Sequence, residues 1–162
     1  LRIGIPRAEL RQALNLSPKI FNLIIDKLES DQIIEDTNKF VLTFGYKPTL
    51  TIQQSETIDF YLSELKQKRY SPSSDIKIDD DILVLLENQM IVVRISESIV
   101  YPYDVYCAMV EQIKTHLTSF GEISVGEVRD MFEASRKYAL ALMEYLDTQR
   151  VTKRIGDKRI LF

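Results

Sequence analysis

The 162-residue sequence predicts a mostly helical α+β chain of tandem modules, each with three helices closed by a two-stranded β-hairpin. Three observations predict it. First, the chain matches itself at an offset of 118 residues: Glu9 falls on Glu127, Arg11 on Arg129, Ser17 on Ser135, Lys19 on Lys137, Leu28 on Leu146 and Ile33 on Val151. Second, an offset of 58 places Ile24, Ile25, Leu28 and Ile33 on Ile82, Leu83, Leu86 and Ile91, although less of the pattern survives upstream. Third, each match runs from apolar residues at helical spacing into short strand-like segments around a turn. The resulting division is 1–48, 49–101 and 102–162.

The last copy is the clearest. Across Pro102–Phe120, Val105, Met109, Ile113, Leu117 and Phe120 recur at helical spacing, and Gly121 stops that helix. Glu122–Ser124 reads as a short extended piece and Val125–Glu133 as a second helix with Val128, Met131 and Phe132 on one face. Ser135 caps a third helix to Gln149, with Ala139, Leu142, Met143 and Leu146 facing inward. Val151–Ile155 and Lys158–Phe162 flank a turn at Gly156-Asp157, which reads as a β-hairpin. Three helices closed by such a hairpin make a winged helix, a helix-turn-helix variant.

The middle copy offers Ile52–Lys68 and Asp79–Asn88 as its first and third helices, then a hairpin of Met90–Arg94 and Ser98–Tyr101 around Glu97. The first copy offers Arg7–Leu14 and Pro18–Glu29, with Ser17 as cap and Pro18 at the first helical position. Its hairpin is Ile33–Asp36, a turn at Thr37-Asn38, and Lys39–Thr43. Leu1 aligns with Ser119, so this copy begins after its own leading helix, and there is no initiator Met. The expectation is a fragment of a longer protein.

Composition excludes several classes. With 45% hydrophobic and 28% charged residues, 5 Gly and 5 Pro, the chain is neither disordered nor low-complexity. No apolar run approaches the ~20 residues of a membrane-spanning helix. One Cys and one His make a disulfide framework or a zinc site unexpected. No GxSxG, GxxxxGK[ST] or GxGxxG occurs, so no catalytic residue, cofactor or metal is expected. His116 reads as structural and Cys107 as a small packed hydrophobe. Asp79-Asp80-Asp81 reads as a cap on the helix that follows, since carboxylates favour a helix N-terminus.

Net charge is −3, which argues against a blanket nucleic-acid coat. The distribution is more telling. Residues 49–101 carry five cations against nine carboxylates. Residues 135–159 carry Arg136, Lys137, Arg150, Lys153, Arg154, Lys158 and Arg159 against Glu144, Asp147 and Asp157. Arg136 and Lys137 fall in the first turn of a helix, where the dipole prefers anions by ~0.3–1 kcal/mol. A helix built only for stability would carry acids there. The open N–H groups, the Ser135 hydroxyl and two cations suit a phosphate. Lys153, Arg154, Lys158 and Arg159 surround Gly156 on the hairpin, which in a winged helix lies close to the third helix. The plain alternative is a solvated basic face. The first copy serves as a control: it has Glu35 and Asp36 in place of Lys153 and Arg154, and keeps only Lys19 at its helix start, while the middle copy has Asp75 where the last has Ser135. The last module is therefore expected to dock nucleic acid and the others, 49–101 among them, to act as spacers or protein-facing modules.

Three stretches of the last copy, Gly121–Asp130, Ser135–Leu140 and Thr152–Arg159, together with Ile5–Arg11 and Leu16-Ser17-Pro18, resemble the C-terminal winged-helix region of the bacterial selenocysteine-specific elongation factors, the SelB family. The resemblance is specific in the last sixty residues, good over the first thirty and weak between. It implies four tandem winged helices after a GTPase portion, with this chain holding a truncated second, the third and the fourth. It implies that the last module binds the SECIS hairpin of mRNA, which recodes UGA. GTP and selenocysteyl-tRNA binding would belong to a portion absent from this chain, which by itself is no enzyme. The expected RNA-binding residues are Ser135, Arg136 and Lys137 at the helix start, with the two cations on loop phosphates; Tyr138, either stacking on a base or, as favoured, packing; and Lys153, Arg154, Gly156, Lys158 and Arg159 at the wing, with its cations on the stem backbone, joined by Arg129. The expected setting is a cytoplasmic monomer, reaching the ribosome through the full-length factor and no membrane. The other readings are a DNA-binding winged-helix transcription regulator, which would usually dimerise, and a protein-interaction scaffold.

Overall fold

The computed structural model describes residues 4–37, 39–46, 48–73 and 76–162. Leu1, Asn38 in the first hairpin turn and Asp75 lie outside these.

The first module comprises β1 (Ile5–Pro6), α1 (Arg7–Ala13), α2 (Pro18–Ser30), β2 (Ile34–Asp36) and β3 (Phe40–Thr43). Ser17 caps α2 by accepting from the Ile20 N–H at 3.5 Å. β1, not foreseen, pairs with β3 to complete a sheet of order β1-β3-β2. The middle module comprises α3 (Ile52–Gln67), α4 (Asp80–Asn88), β4 (Val92–Ser96) and β5 (Ile99–Pro102). The last comprises α5 (Tyr103–Phe120), β6 (Ile123–Ser124), α6 (Val125–Met131), α7 (Arg136–Thr148), β7 (Thr152–Ile155) and β8 (Lys158–Leu161), with sheet order β6-β8-β7.

Among the described residues, three helices are seen in the last module alone. The first shows α1 and α2 there, as expected for a copy that begins after its leading helix. The middle replaces its second helix with irregular chain around Pro72, which lacks the N–H that a helix interior needs. Ile24 of α2 is 39% exposed where its equivalent Leu142 in α7 is fully buried.

The backbone repeats at the offsets found in the sequence. Gln32, Met90 and Arg150 follow α2, α4 and α7, each with φ between +52° and +56°. The next N–H returns to the helix in each case: Ile33 to the Leu28 carbonyl (2.9 Å), Ile91 to Leu86 (2.9 Å) and Val151 to Leu146 (3.0 Å). These are Schellman C-caps built without glycine. Asn15 and Glu133 likewise share φ of 49° and 48° between the two helices before each cap.

The modules pack against one another. Leu42 of β3 meets Val84 and Leu85 of α4. Ile95, Ile99 and Tyr101 of the middle hairpin enter the same core as Val105, Ile113, Val128, Phe132, Leu142 and Leu146. β5 passes directly into α5, with Pro102 at the N-cap. Among the described residues, no helix is long and apolar enough to cross a membrane.

Candidate nucleic-acid interface

α7 begins at Ser135, whose φ of −76° and ψ of 159° place it as N-cap, yet its hydroxyl makes no capping bond. Elsewhere Ser124 and Thr51 form full capping boxes with Glu127 and Gln54. The first turn of α7 holds no acid, whereas Asp80 and Asp81 occupy that of α4. Arg136 and Lys137 are exposed, and among the described residues neither is paired with a carboxylate. Lys137 Nζ lies 5.8 Å from the Tyr138 ring centroid. Tyr138 is half-buried, and its hydroxyl donates to the Pro72 carbonyl of the middle module at 2.7 Å. The helix start is thus an open set of N–H groups and cations braced from below by a tyrosine.

The wing divides its cations. In β7–β8 the cross-strand pairs are Thr152–Leu161, Lys153–Ile160, Arg154–Arg159 and Ile155–Lys158. Side chains alternate along a strand, so Arg154 and Arg159 share one face and Lys153 and Lys158 the other. Gly156, with φ of +60°, is the first central residue of the two-residue turn, where a side chain would be strained. Arg154 Nε donates to the Gly156 carbonyl at 2.9 Å and stiffens the tip. Lys153 and Arg154 are exposed, without an ion pair among the described residues.

The other expected contacts are engaged within the chain. Arg159 is 2% exposed and reaches Asp147 Oδ2 at 3.3 Å. Asp147 Oδ1 accepts from the Thr152 hydroxyl at 2.6 Å. The expectation that Arg159 meets an RNA stem is therefore corrected, because strand alternation turns it inward to pin the wing to α7. Lys158 pairs with Glu122, which raises its pKa above the ordinary lysine value. Arg129 pairs with its neighbour Asp130 at 2.6 Å. Asp147 lies eleven residues along α7 from Arg136, so the helix start and the wing root are about 16 Å apart along the axis.

Asp79 occupies the N-cap of α4 but makes no side-chain capping bond, so the acidic run meets the dipole through Asp80 and Asp81 instead. No group of three or more potential ligands that could hold a metal occurs among the described residues. His116 is half-buried with its ring 4.6 Å from that of Phe120, and Cys107 is half-buried.

Two sequence profiles described as the winged helix of elongation factor SelB match this chain, the family's second over residues 1–42 and its third over residues 115–161. The chain belongs to the SelB family. The profile matched at the end carries the ordinal third, where the resemblance implied a fourth module. A curated relative, the selenocysteine-specific elongation factor of Desulfomicrobium baculatum, is 24% identical over 172 residues, covering 98% of this chain and 27% of the relative. The chain thus spans about a quarter of that SelB protein's length. Among solved structures, the mRNA-binding domain of E. coli SelB in complex with SECIS RNA aligns at 18% identity and TM-score 0.53, over 69% of this chain and 98% of that one. A bacterial selenocysteine-specific elongation factor aligns at 19% identity and TM-score 0.55, over 98% of this chain and 26% of that one. At these identities the two structures support the fold.

Proposed function

We propose that this chain is the part of a selenocysteine-specific elongation factor that grips the SECIS hairpin of mRNA, so that the factor inserts selenocysteine at UGA. Its modules are 1–48, 49–101 and 102–162, and the last holds the RNA. The observation that carries the reading is the start of α7. Ser135 makes no capping bond, and Arg136 and Lys137 stand there against the dipole without a carboxylate partner among the described residues. A phosphate satisfies all of these at once. Loop phosphates sit on this helix start, while Lys153 and Arg154 hold backbone phosphates at the wing. Tyr138 sets the height of the helix start through Pro72 rather than stacking on a base. Lys158 and Arg129 reach RNA only by giving up Glu122 and Asp130, so they rank below the unpaired four. Arg159 has no part in the contact.

The chain carries out no bond-making step in this reading, and ribosome contact comes through the whole factor. It acts as a cytoplasmic monomer. Support comes from the family match, the similarity to a selenocysteine-specific elongation factor and the neighbouring structure's complex with SECIS RNA.

The test starts from a pool of RNA hairpins with a twelve-pair stem and a randomised loop, selected on the full chain. The winner is titrated at 0.1 and 0.3 M salt beside duplex DNA of the stem sequence, because phosphate contacts make affinity salt-dependent. Salt-sensitive binding with a clear preference for the hairpin is expected. Preference for duplex DNA would replace this reading with a transcription regulator, and no nucleic-acid binding would replace it with a protein scaffold.

A further inference from the structure

We propose that the RNA-binding surface continues across the joint onto the end of α3, where Lys66, Lys68 and Arg69 hold the stem of the hairpin that α7 grips. This rests on reading α7 as the RNA-binding helix. The middle module is acidic, yet four of its five cations lie between residues 66 and 77. The fifth, Arg94, is consumed by Asp80 at 2.8 Å and Glu87 at 3.3 Å. Lys66, Lys68 and Arg69 are exposed, and among the described residues none of the three is paired with a carboxylate. The dipole of α3 accounts for Lys66 in the last turn. It also favours Lys68 at the C-cap, but it does not account for Arg69, which lies beyond the cap.

The segment that carries these cations is the one that touches the start of α7. The Tyr70 ring lies 5.2 Å from that of Phe132, just before α7. Tyr101 donates to the Tyr70 carbonyl at 3.1 Å, and Tyr138 to the Pro72 carbonyl at 2.7 Å. Arg69 sits over Tyr70 at 5.4 Å, and Lys137 over Tyr138 at 5.8 Å. Cations thus flank both sides of a joint whose apolar core is closed by Ile95, Ile99 and Tyr101. Such packing fixes the spacing of the two groups before RNA arrives, so little ordering cost falls on binding. A module that carries excess negative charge would otherwise repel a stem; placing Lys66, Lys68 and Arg69 at this edge offsets that repulsion where the stem approaches.

The experiment compares the full chain with its Lys66→Ala, Lys68→Ala, Arg69→Ala variant, using the selected hairpin with its twelve-pair stem and with the stem cut to five pairs. Losing two to three phosphate contacts flattens the log–log salt dependence by about 2 and, extrapolated from 1 M salt, weakens long-stem binding about 40-fold near 0.15 M salt. The short stem binds variant and parent alike. A Lys66→Arg, Lys68→Arg variant keeps parental affinity, and melting temperatures match throughout. Equal long-stem affinity and slope in the triple variant would overturn this proposal and leave the α7 reading standing. Equal losses on both stems, or a loss in the charge-keeping variant, would overturn it as well. A parent chain that selects no hairpin at all would overturn both.

Discussion

The sharpest test of the α7 site is the Arg136→Ala, Lys137→Ala variant, because stability and affinity should move in opposite directions. Both side chains are exposed and unpaired among the described residues, so their removal breaks no ion pair. They oppose the helix dipole, so their loss stabilises the folded chain by about 0.3–1 kcal/mol. At this chain length that corresponds to a rise in melting temperature of about 1–4 °C. Two phosphate contacts carry a salt slope of about 1.6 between them, which extrapolated from 1 M to 0.15 M salt gives about a 20-fold loss of hairpin affinity, shrinking to about sevenfold at 0.3 M. The assays are thermal unfolding by circular dichroism and a fluorescence titration of the selected hairpin at both salts. Lys19→Ala, the equivalent change at the start of α2, leaves affinity unchanged. Parental affinity in the double variant would refute the reasoning. So would a melting temperature that falls with affinity, since the two residues would then be holding the fold rather than the RNA.

Other expectations follow from the buried and capped groups. Asp147→Ala leaves the Arg159 guanidinium buried without its carboxylate, which costs about 3–5 kcal/mol and is read as a lower urea midpoint. Arg159→Met costs much less, and hairpin affinity per folded molecule stays parental; a loss would return Arg159 to the interface. Ser124→Ala removes one half of the α6 capping box and costs about 1 kcal/mol at neutral pH. The hydrogen bonds from Ser124 hold the Glu127 carboxyl below its ordinary pKa. A lowered folded-state pKa gives stability that is present above the unfolded value and lost as pH falls through the folded one. Denaturant titrations at pH 7 and pH 3 should therefore show a smaller acid loss in Ser124→Ala than in the parent; an unchanged acid loss would discount the cap.

The repeat was legible in the sequence because it is carried by apolar spacing, and the same offsets return as C-caps at Gln32, Met90 and Arg150. The non-glycine αL residues themselves were not legible, since nothing in Gln, Met or Arg announces a positive φ. β1 escaped because two residues of strand leave no alternation to read. The basic start of α7 was legible because it breaks a local rule of helix electrostatics, and among the described residues no carboxylate pairs with Arg136 or Lys137. The fate of Arg159 was also within reach: a two-residue turn at Gly156-Asp157 forces residue 154 opposite 159, and Asp147 and Thr152 supply the acceptor and hydroxyl on the same side. Counting cations without first fixing their register placed it on the wrong face.

What sequence could not supply is the joint. Tyr70, Pro72, Tyr101 and Tyr138 sit in unremarkable local contexts, and their meaning lies in contacts spanning 31 and 66 residues. Those contacts change how the middle module is to be understood. A spacer need only keep its neighbours apart, and it could do so through a flexible linker. Here β5 runs into α5 without slack, and the middle hairpin supplies part of the last module's core. Under the proposed function, a load applied to α7 by bound RNA would pass into the middle module through Tyr138 and Phe132, and onward to the first through Val84, Leu85 and Leu42. If that packing is what fixes the height of the helix start, loosening it should blunt RNA recognition even where no cation has been touched.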